Sequence, residues 1–340
     1  GMVRYDKKSG EAIDIRPEPG KGEKTYKWNW DTPLFISPHK NTRLYTAANM
    51  VFSTNDRGDN WEVISPDLTT GIDRNSFPVM DKYWGVDAVA KDRSTSLFGT
   101  IVSLAESPVK ENLLYAGTDD GLIQITEDAK TWSKAGSFPG VPEYTYVSDV
   151  LPSRFNENVV YASFNNHKRD DFKPYILKSE DKGKSWKPIS ATLPENGSVW
   201  SLAEDFENPN LLFAGTEFGF FFTVDGGNKW IKLQNGLPDI PVRDIFLHKR
   251  EGDIVIATFG RGFYILDDYT PLRSVTNELL QKDGHIFGVR DGLMFIEMAG
   301  RYGTGNTYYK APNPEFGVNI TYYIKEVPKT LKEIRKAKEA

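Results

Sequence analysis

The sequence predicts an all-β fold, a β-propeller of four-stranded antiparallel blades. Three observations predict it. An eight-residue turn recurs, as Thr54-Asn55-Asp56-Arg57-Gly58-Asp59-Asn60-Trp61, as Ser179-Glu180-Asp181-Lys182-Gly183-Lys184-Ser185-Trp186 and as Thr223-Val224-Asp225-Gly226-Gly227-Asn228-Lys229-Trp230. Short strands repeat around that turn with a period of roughly 40 to 50 residues, which suits propeller blades or solenoid units. The composition, 13% aromatic but only 39% hydrophobic with a mean hydropathy of -0.49, fits many short, half-exposed strands.

The turn has its own chemistry. Ser/Thr and Asp side chains bond turn amides, glycine takes a positive φ, and Trp wedges against the sheet. This S/T-x-D-x-G-x-x-W pattern is the Asp box, in which Asp56, Asp128, Asp181 and Asp225, with Trp61, Trp132, Trp186 and Trp230, are structural. The second box, Thr126-Glu127-Asp128-Ala129-Lys130-Thr131-Trp132, lacks one residue, the turn glycine, so its hairpin must close differently.

Five units are visible. First strands are expected at Leu34–Ser37, Ile101–Ala105, Val147–Leu151, Val199–Ala203 and Val242–Phe246, and second strands at Leu44–Ala47, Leu113–Thr118, Val159–Ala162, Leu211–Thr216 and Ile254–Thr258. Each is short and rich in β-branched and aromatic residues. A third strand runs into the box and its Trp opens the fourth. The fifth unit ends Phe263-Tyr264-Ile265-Leu266-Asp267-Asp268 without a box. The wide gap between Asp56 and Asp128 holds an insertion, about residues 66 to 99. Val3 to Ile15 reads as one hairpin, the last two strands of a blade; either it completes the fifth blade and closes a ring, or it belongs to a larger propeller, the reading favoured here. Residues 1-271 are assigned to the propeller. Residues 272-340 form a linker and a partial β-sandwich-like extension, with strand candidates at Leu293–Ile296 and Asn319–Lys325 and a charged helix from Thr330 to Ala340.

Several functions fall away. A net charge of -5 gives no basic field for nucleic acid. No apolar run approaches the roughly 20 residues of a membrane-spanning helix. The absence of cysteine removes disulfides and thiolate metal sites. Neither a metal nor a cofactor is expected, and G-x-S-x-G and phosphate-loop motifs are missing.

The boxes together with Ala116-Gly117-Thr118-Asp119-Asp120-Gly121, Ala214-Gly215-Thr216-Glu217-Phe218-Gly219 and the run from Phe259 to Asp268 resemble the large bacterial BNR-repeat proteins related to the sortilin (Vps10) propeller. That resemblance covers about residues 3 to 271 and implies an extracellular or periplasmic location. Asp boxes also occur in sialidases and xyloglucan-type glycosidases, where they are not catalytic. The early F/Y-R-I-P motif of sialidases is absent here.

Blade topology separates two rims. Asp-box turns share one with the turns between first and second strands; the other carries the turns between second and third strands and the interblade links. Variable loops on the latter are where binding is expected. Candidate ligand residues there are Asp119, Asp120, His167, Arg169, Glu217 and Arg261, joined by Tyr83, Trp84 and Arg93 of the insertion, which is expected to wall the principal pocket opposite Asp119, Asp120 and Glu217. Simpler readings stand beside these: Asp119 and Asp120 as hairpin-turn residues, Arg261 bonded to nearby carbonyls, His167 solvated. Two functions follow. One is a non-catalytic scaffold binding a protein, peptide or glycan; the other is a glycoside hydrolase using Asp119 or Asp120 with Glu217, whose carboxyl groups would then lie roughly 5 to 9.5 Å apart.

Overall fold

The computed structural model describes residues 1–339 except Asp92, residues 94–96, Leu293 and residues 295–315. The chain divides into two compact units, Gly1–Asp267 and Asp268–Ala340. Most of the predicted strand at Leu293–Ile296 lies outside the described residues.

In the first unit, four antiparallel sheets have four strands each, in simple up-and-down order. They are Leu34–Ile36, Leu44–Ala47, Val51–Thr54 and Glu62–Val63; Ile101–Glu106, Leu114–Thr118, Ile123–Thr126 and Ser133–Lys134; Tyr146–Pro152, Val160–Asn166, Asp171–Ser179 and Lys187–Pro188; and Val199–Glu204, Leu212–Thr216, Gly219–Thr223 and Ile231–Lys232. A fifth sheet has three strands, Val242–His248, Asp253–Thr258 and Phe263–Leu266, because no box turn follows to start a fourth. We call these blades one to five. The hairpin Val3–Tyr5 and Ala12–Asp14 pairs only with itself and does not complete the fifth sheet. Among the described residues of the first unit, helix is limited to 3-10 turns at Arg74–Ser76 in the insertion and His167–Arg169 in blade three.

The boxes fold as their residues dictate. Asp56 accepts from the Thr54 hydroxyl at 2.6 Å and the Asn60 amide at 3.0 Å, while Thr54 Oγ1 accepts from Gly58 N at 3.1 Å. The pattern repeats at Ser179/Asp181 and Thr223/Asp225. Each intact turn has two successive positive-φ residues, such as Arg57 and Gly58. The shortened second box has one, Ala129, and Asp128 reaches instead the nearer amides of Lys130 and Thr131, at 2.8 and 2.7 Å.

Blades one, two and four are each tied to the sheet before them by the box Trp. Nε1 of Trp61, Trp132 and Trp230 donates to the carbonyls of Ile15, Ile64 and Ile189, at 2.6, 2.8 and 2.7 Å. Each acceptor immediately follows the outermost strand of the preceding blade, so the hairpin before Ile15 occupies the place of two outer strands. Trp186 differs: its Nε1 bonds Gly183 O in its own turn, and the Gly136 amide of the preceding blade donates to that same carbonyl. Apolar slabs fill the interblade spaces, with Tyr45, Leu68, Ile101 and Leu114 between blades one and two and Tyr161, Ile176, Val199 and Trp230 between three and four. Two buried glutamates add a second latch. Glu106 accepts from Ser37 of blade one, and Glu204 accepts from the Ser153 hydroxyl and Arg154 amide of blade three at 2.8 and 2.6 Å.

The glycine of A-G-T serves close approach. A Cβ on Gly215 would lie 2.6 Å from Ser201 Oγ and 2.7 Å from Val242 Cγ1 of the next blade.

In the second unit, Gly284–Ile286 pairs with Tyr322–Ile324, and the helix Leu331–Glu339 opens with a capping box in which Thr330 and Glu333 bond one another's backbone amides.

Two stability predictions follow. Asp181→Ala removes turn bonds and should cost about 1 to 3 kcal/mol without altering ligand affinity of the folded protein; Gly215→Ala should cost a similar ~1–3 kcal/mol by overpacking. Denaturant unfolding of both variants checks them, and a neutral result would contradict the assigned contacts.

Candidate functional site

The rim opposite the boxes is shaped in four of the five blades by one backbone device. In blades two to five the first strand carries a bulge at the same position, occupied by Val102, Ser148, Trp200 and Arg243. A bulge leaves its extra residue unpaired and re-aims the side chain. The link before each first strand then bonds the turn between second and third strands, Asp119 N to Thr100 O, Glu217 N to Ser198 O and Phe259 N to Pro241 O, at 2.9 to 3.0 Å.

Trp200 and Arg243 pack on each other at this rim. The Arg243 guanidinium lies 3.5 Å from the centroid of Trp200 and 5.2 Å from that of Phe259. Trp200 Nε1 donates to Glu217 Oε2 at 2.8 Å, and the His167 ring sits 5.5 Å away. Arg243 Nε is buried without a hydrogen-bond partner. Burial lowers Arg243 from the ordinary arginine value, against the pull of Glu217, Asp31 and Tyr146. Burial likewise lowers His167, helped by Lys168. His167 is thus half-buried against Trp200, not solvated as the sequence suggested.

A second group lies beside blade three. Arg74, Phe98, Asp119, Tyr144, Tyr146, Asn165, Asn166, Lys168 and Arg169 line a pocket of about 160 Å³. Asp119 accepts from the Gly99 and Thr100 amides at 3.0 and 2.6 Å, yet burial pushes its carboxyl up to about 6. The neighbouring Asp120 faces elsewhere. It is 1% exposed and holds the insertion, accepting from Thr118 Oγ1 at 2.5 Å and from Thr70 N and Oγ1 at 2.8 and 2.7 Å.

The other named residues lie apart from these groups. Trp84 lines a cavity of about 490 Å³ bounded by insertion residues from Arg74 to Lys91, which Asp119, Asp120 and Glu217 do not line. Its indole donates to Val79 O at 3.1 Å under the Lys82 ammonium. The insertion meets the rim through Thr70, Arg74 and Phe98 instead, because the Asp120 pin draws its first residues inward. Tyr83 and Arg93 are exposed, and so is Arg261, which makes no side-chain hydrogen bond among the described residues. Asp92 lies outside those residues. Trp200, Arg243 and Tyr146 were hidden in the sequence because each reads as an ordinary strand residue. Their signal is positional: two units put Trp and Arg where the others have Val102 and Ser148.

No protein-family model and no curated protein matches the sequence. Among solved structures, the chain is similar to the GH74 xyloglucanase from Xanthomonas campestris, with 16% identity over 70% of this chain and 36% of that one and a TM-score of 0.52. It is also similar to the extracellular domain of the BT4673 one-component system from B. thetaiotaomicron, with 16% identity over 86% and 34% and a TM-score of 0.51. The chain therefore spans about a third of the length of the structures it matches. Both are β-propeller proteins, and at this identity the likeness is one of fold.

The carboxylates make stability depend on pH in two opposed senses. Hydroxyl and amide donors hold Asp56 and Asp181 down to about 2, so their contribution is present above the ordinary carboxylate value of 3.8 and is lost as pH falls toward 2. Burial instead pushes Asp149 up to about 7, despite the Leu202 amide bond at 2.8 Å, so folding loses stability as pH rises from about 4 to 7. Asn at 149 keeps an acceptor but no ionisable group. The melting temperature of Asp149→Asn relative to wild type should therefore climb steadily from pH 4 to 8; a constant difference would contradict the burial of this carboxyl.

Proposed function

We propose that the chain is a non-catalytic propeller scaffold that binds a protein, peptide or glycan on the rim opposite the Asp boxes. The observation that carries this reading is the Trp200–Arg243 pair, a guanidinium stacked on an indole with a buried Nε–H left without a partner. Such a donor is costly to leave unmade, and a ligand acceptor would satisfy it. Around it stand His167, Glu217 and Phe259, with Asp119 and Arg169 in the neighbouring pocket beside blade three and Arg261 on the turn between the last two strands of blade five. Tyr83, Trp84 and Arg93 would meet only the periphery of a large ligand.

The resemblance in the boxes and the Phe259–Asp268 run supports a BNR-repeat, sortilin-like membership, with 1-271 as the propeller and an extracellular or periplasmic location. No helix among the described residues is long and apolar enough to cross a membrane. Catalysis is disfavoured because Asp120 is sealed by three hydrogen bonds and Glu217 is tied to Trp200. One observation favours the glycoside hydrolase alternative. Asp119, pushed up to about 6, is poised near neutrality as a general acid must be.

A glycan and peptide array on wild type, Trp200→Ala, Trp84→Ala and Asp119→Asn separates these readings. Trp200→Ala should weaken binding about tenfold or more, the loss of ~1.4 kcal/mol, while Trp84→Ala retains it. Binding indifferent to Trp200→Ala contradicts the assignment. Glycoside turnover abolished by Asp119→Asn would instead establish the hydrolase.

A further inference from the structure

We infer that the pocket beside blade three takes the oxoanion of an acidic sugar residue, a uronate carboxylate or a sulfate ester on a pyranose. The inference rests on the rim being the ligand face and names the chemistry of one subsite on it.

Charge comes first. Lys168 and Arg169 line the pocket, and Asp119 is the one acidic residue among its described lining. Lys168 makes no ion pair among the described residues, and its ammonium lies 5.6 Å from the Tyr146 ring. Arg169 uses one nitrogen on Glu143 O at 2.7 Å, leaving the remainder of its five-donor fork for an oxoanion.

A second and independent sign is Asn165. It is 3% exposed and lines the same pocket, yet its Nδ2 has no partner. The amide orientation is fixed, because Oδ1 accepts from the His167 backbone amide at 3.1 Å. The unmatched group is therefore a donor, and a ligand oxygen is what it lacks.

The sugar is favoured over an acidic peptide by the other walls. Phe98, Tyr144 and Tyr146 supply apolar ring surface, which a pyranose face covers. Asp119 accepts from two backbone amides, and a carboxylate has further lone pairs that can take hydroxyl donors. An acidic peptide brings backbone N–H donors but no hydroxylated ring face; a sugar acid offers an oxoanion for the cations, hydroxyls for Asp119 and a ring face for Phe98, Tyr144 and Tyr146 together. At about 160 Å³ the pocket holds the space of roughly five waters at ~30 Å³ each, suited to one saccharide unit of a chain lying across the rim.

Calorimetry or saturation-transfer NMR tests this with methyl β-D-glucuronide, methyl β-D-glucoside 6-sulfate, neutral methyl β-D-glucoside and a triglutamate peptide. At least one acidic sugar should bind tenfold or more tighter than the neutral one and the peptide, and which of the two does so identifies the oxoanion. The exposed double change Lys168→Gln/Arg169→Gln should abolish that preference with an unchanged melting temperature; Asn165→Leu should weaken it, with folding checked in the same way. Equal binding of acidic and neutral sugars, triglutamate binding as tightly as the sugars, or a preference that survives the double change overturns the inference. If array ligands depend on Trp200 but not on Lys168 and Arg169, the subsite fails while the rim reading stands. Absence of any Trp200-dependent ligand would sink both.

Discussion

The hydrogen bond from a box Trp to the carbonyl that closes the preceding blade is the interaction on which the rest of the structure depends. A blade is a twisted sheet with two apolar faces, and alone it would leave both in water. Trp61, Trp132 and Trp230 place an indole across the gap and fix blade spacing through Nε1, at Ile15, Ile64 and Ile189. The Asp box exists to aim that indole. Asp and Ser/Thr side chains close the turn so that the fourth strand begins at the residue after Trp, and a glycine permits the positive φ that the reversal requires.

This division of labour leaves the two rims with different duties. On the box rim the buried Glu106 and Glu204 tie successive blades together. The opposite rim is freed from that task. There the bulges displace one side chain from each of blades two to five out of the ladder, and its chemistry varies without disturbing the repeat: Val102 and Ser148 are small, whereas Trp200 and Arg243 make a stacked cation–indole pair. Unmatched donors at Arg243 and Asn165 gather on this rim.

Strand order and the box turns were legible because both are local. Alternating β-branched residues, the S/T-x-D-x-G-x-x-W pattern and its shortened second copy specify hydrogen bonds within eight residues, and even the altered closure at Ala129 follows from the missing glycine. Candidate site residues were only partly legible. Asp119, His167, Arg169 and Glu217 announce themselves as polar turn residues. Trp200 and Arg243 do not, since a bulge of one residue leaves no mark in the pattern of a short strand. Trp84 drew notice as an aromatic outside the repeat, but its cavity is built from the insertion's own residues. What sequence could not supply was the direction of the insertion, set by a hydrogen bond from Thr70 to Asp120, fifty residues away.

The central claim is that ligand engages the bulge rim and leaves the box rim untouched. Hydroxyl-radical footprinting of the protein with and without its tightest array ligand tests it directly, because oxidisable rings stand on both rims. Ligand should protect Trp200, Tyr146 and the exposed Phe259 while Trp61 and Trp132 oxidise at unchanged rates. Protection of Trp61 and Trp132 with none at Trp200 would contradict the account.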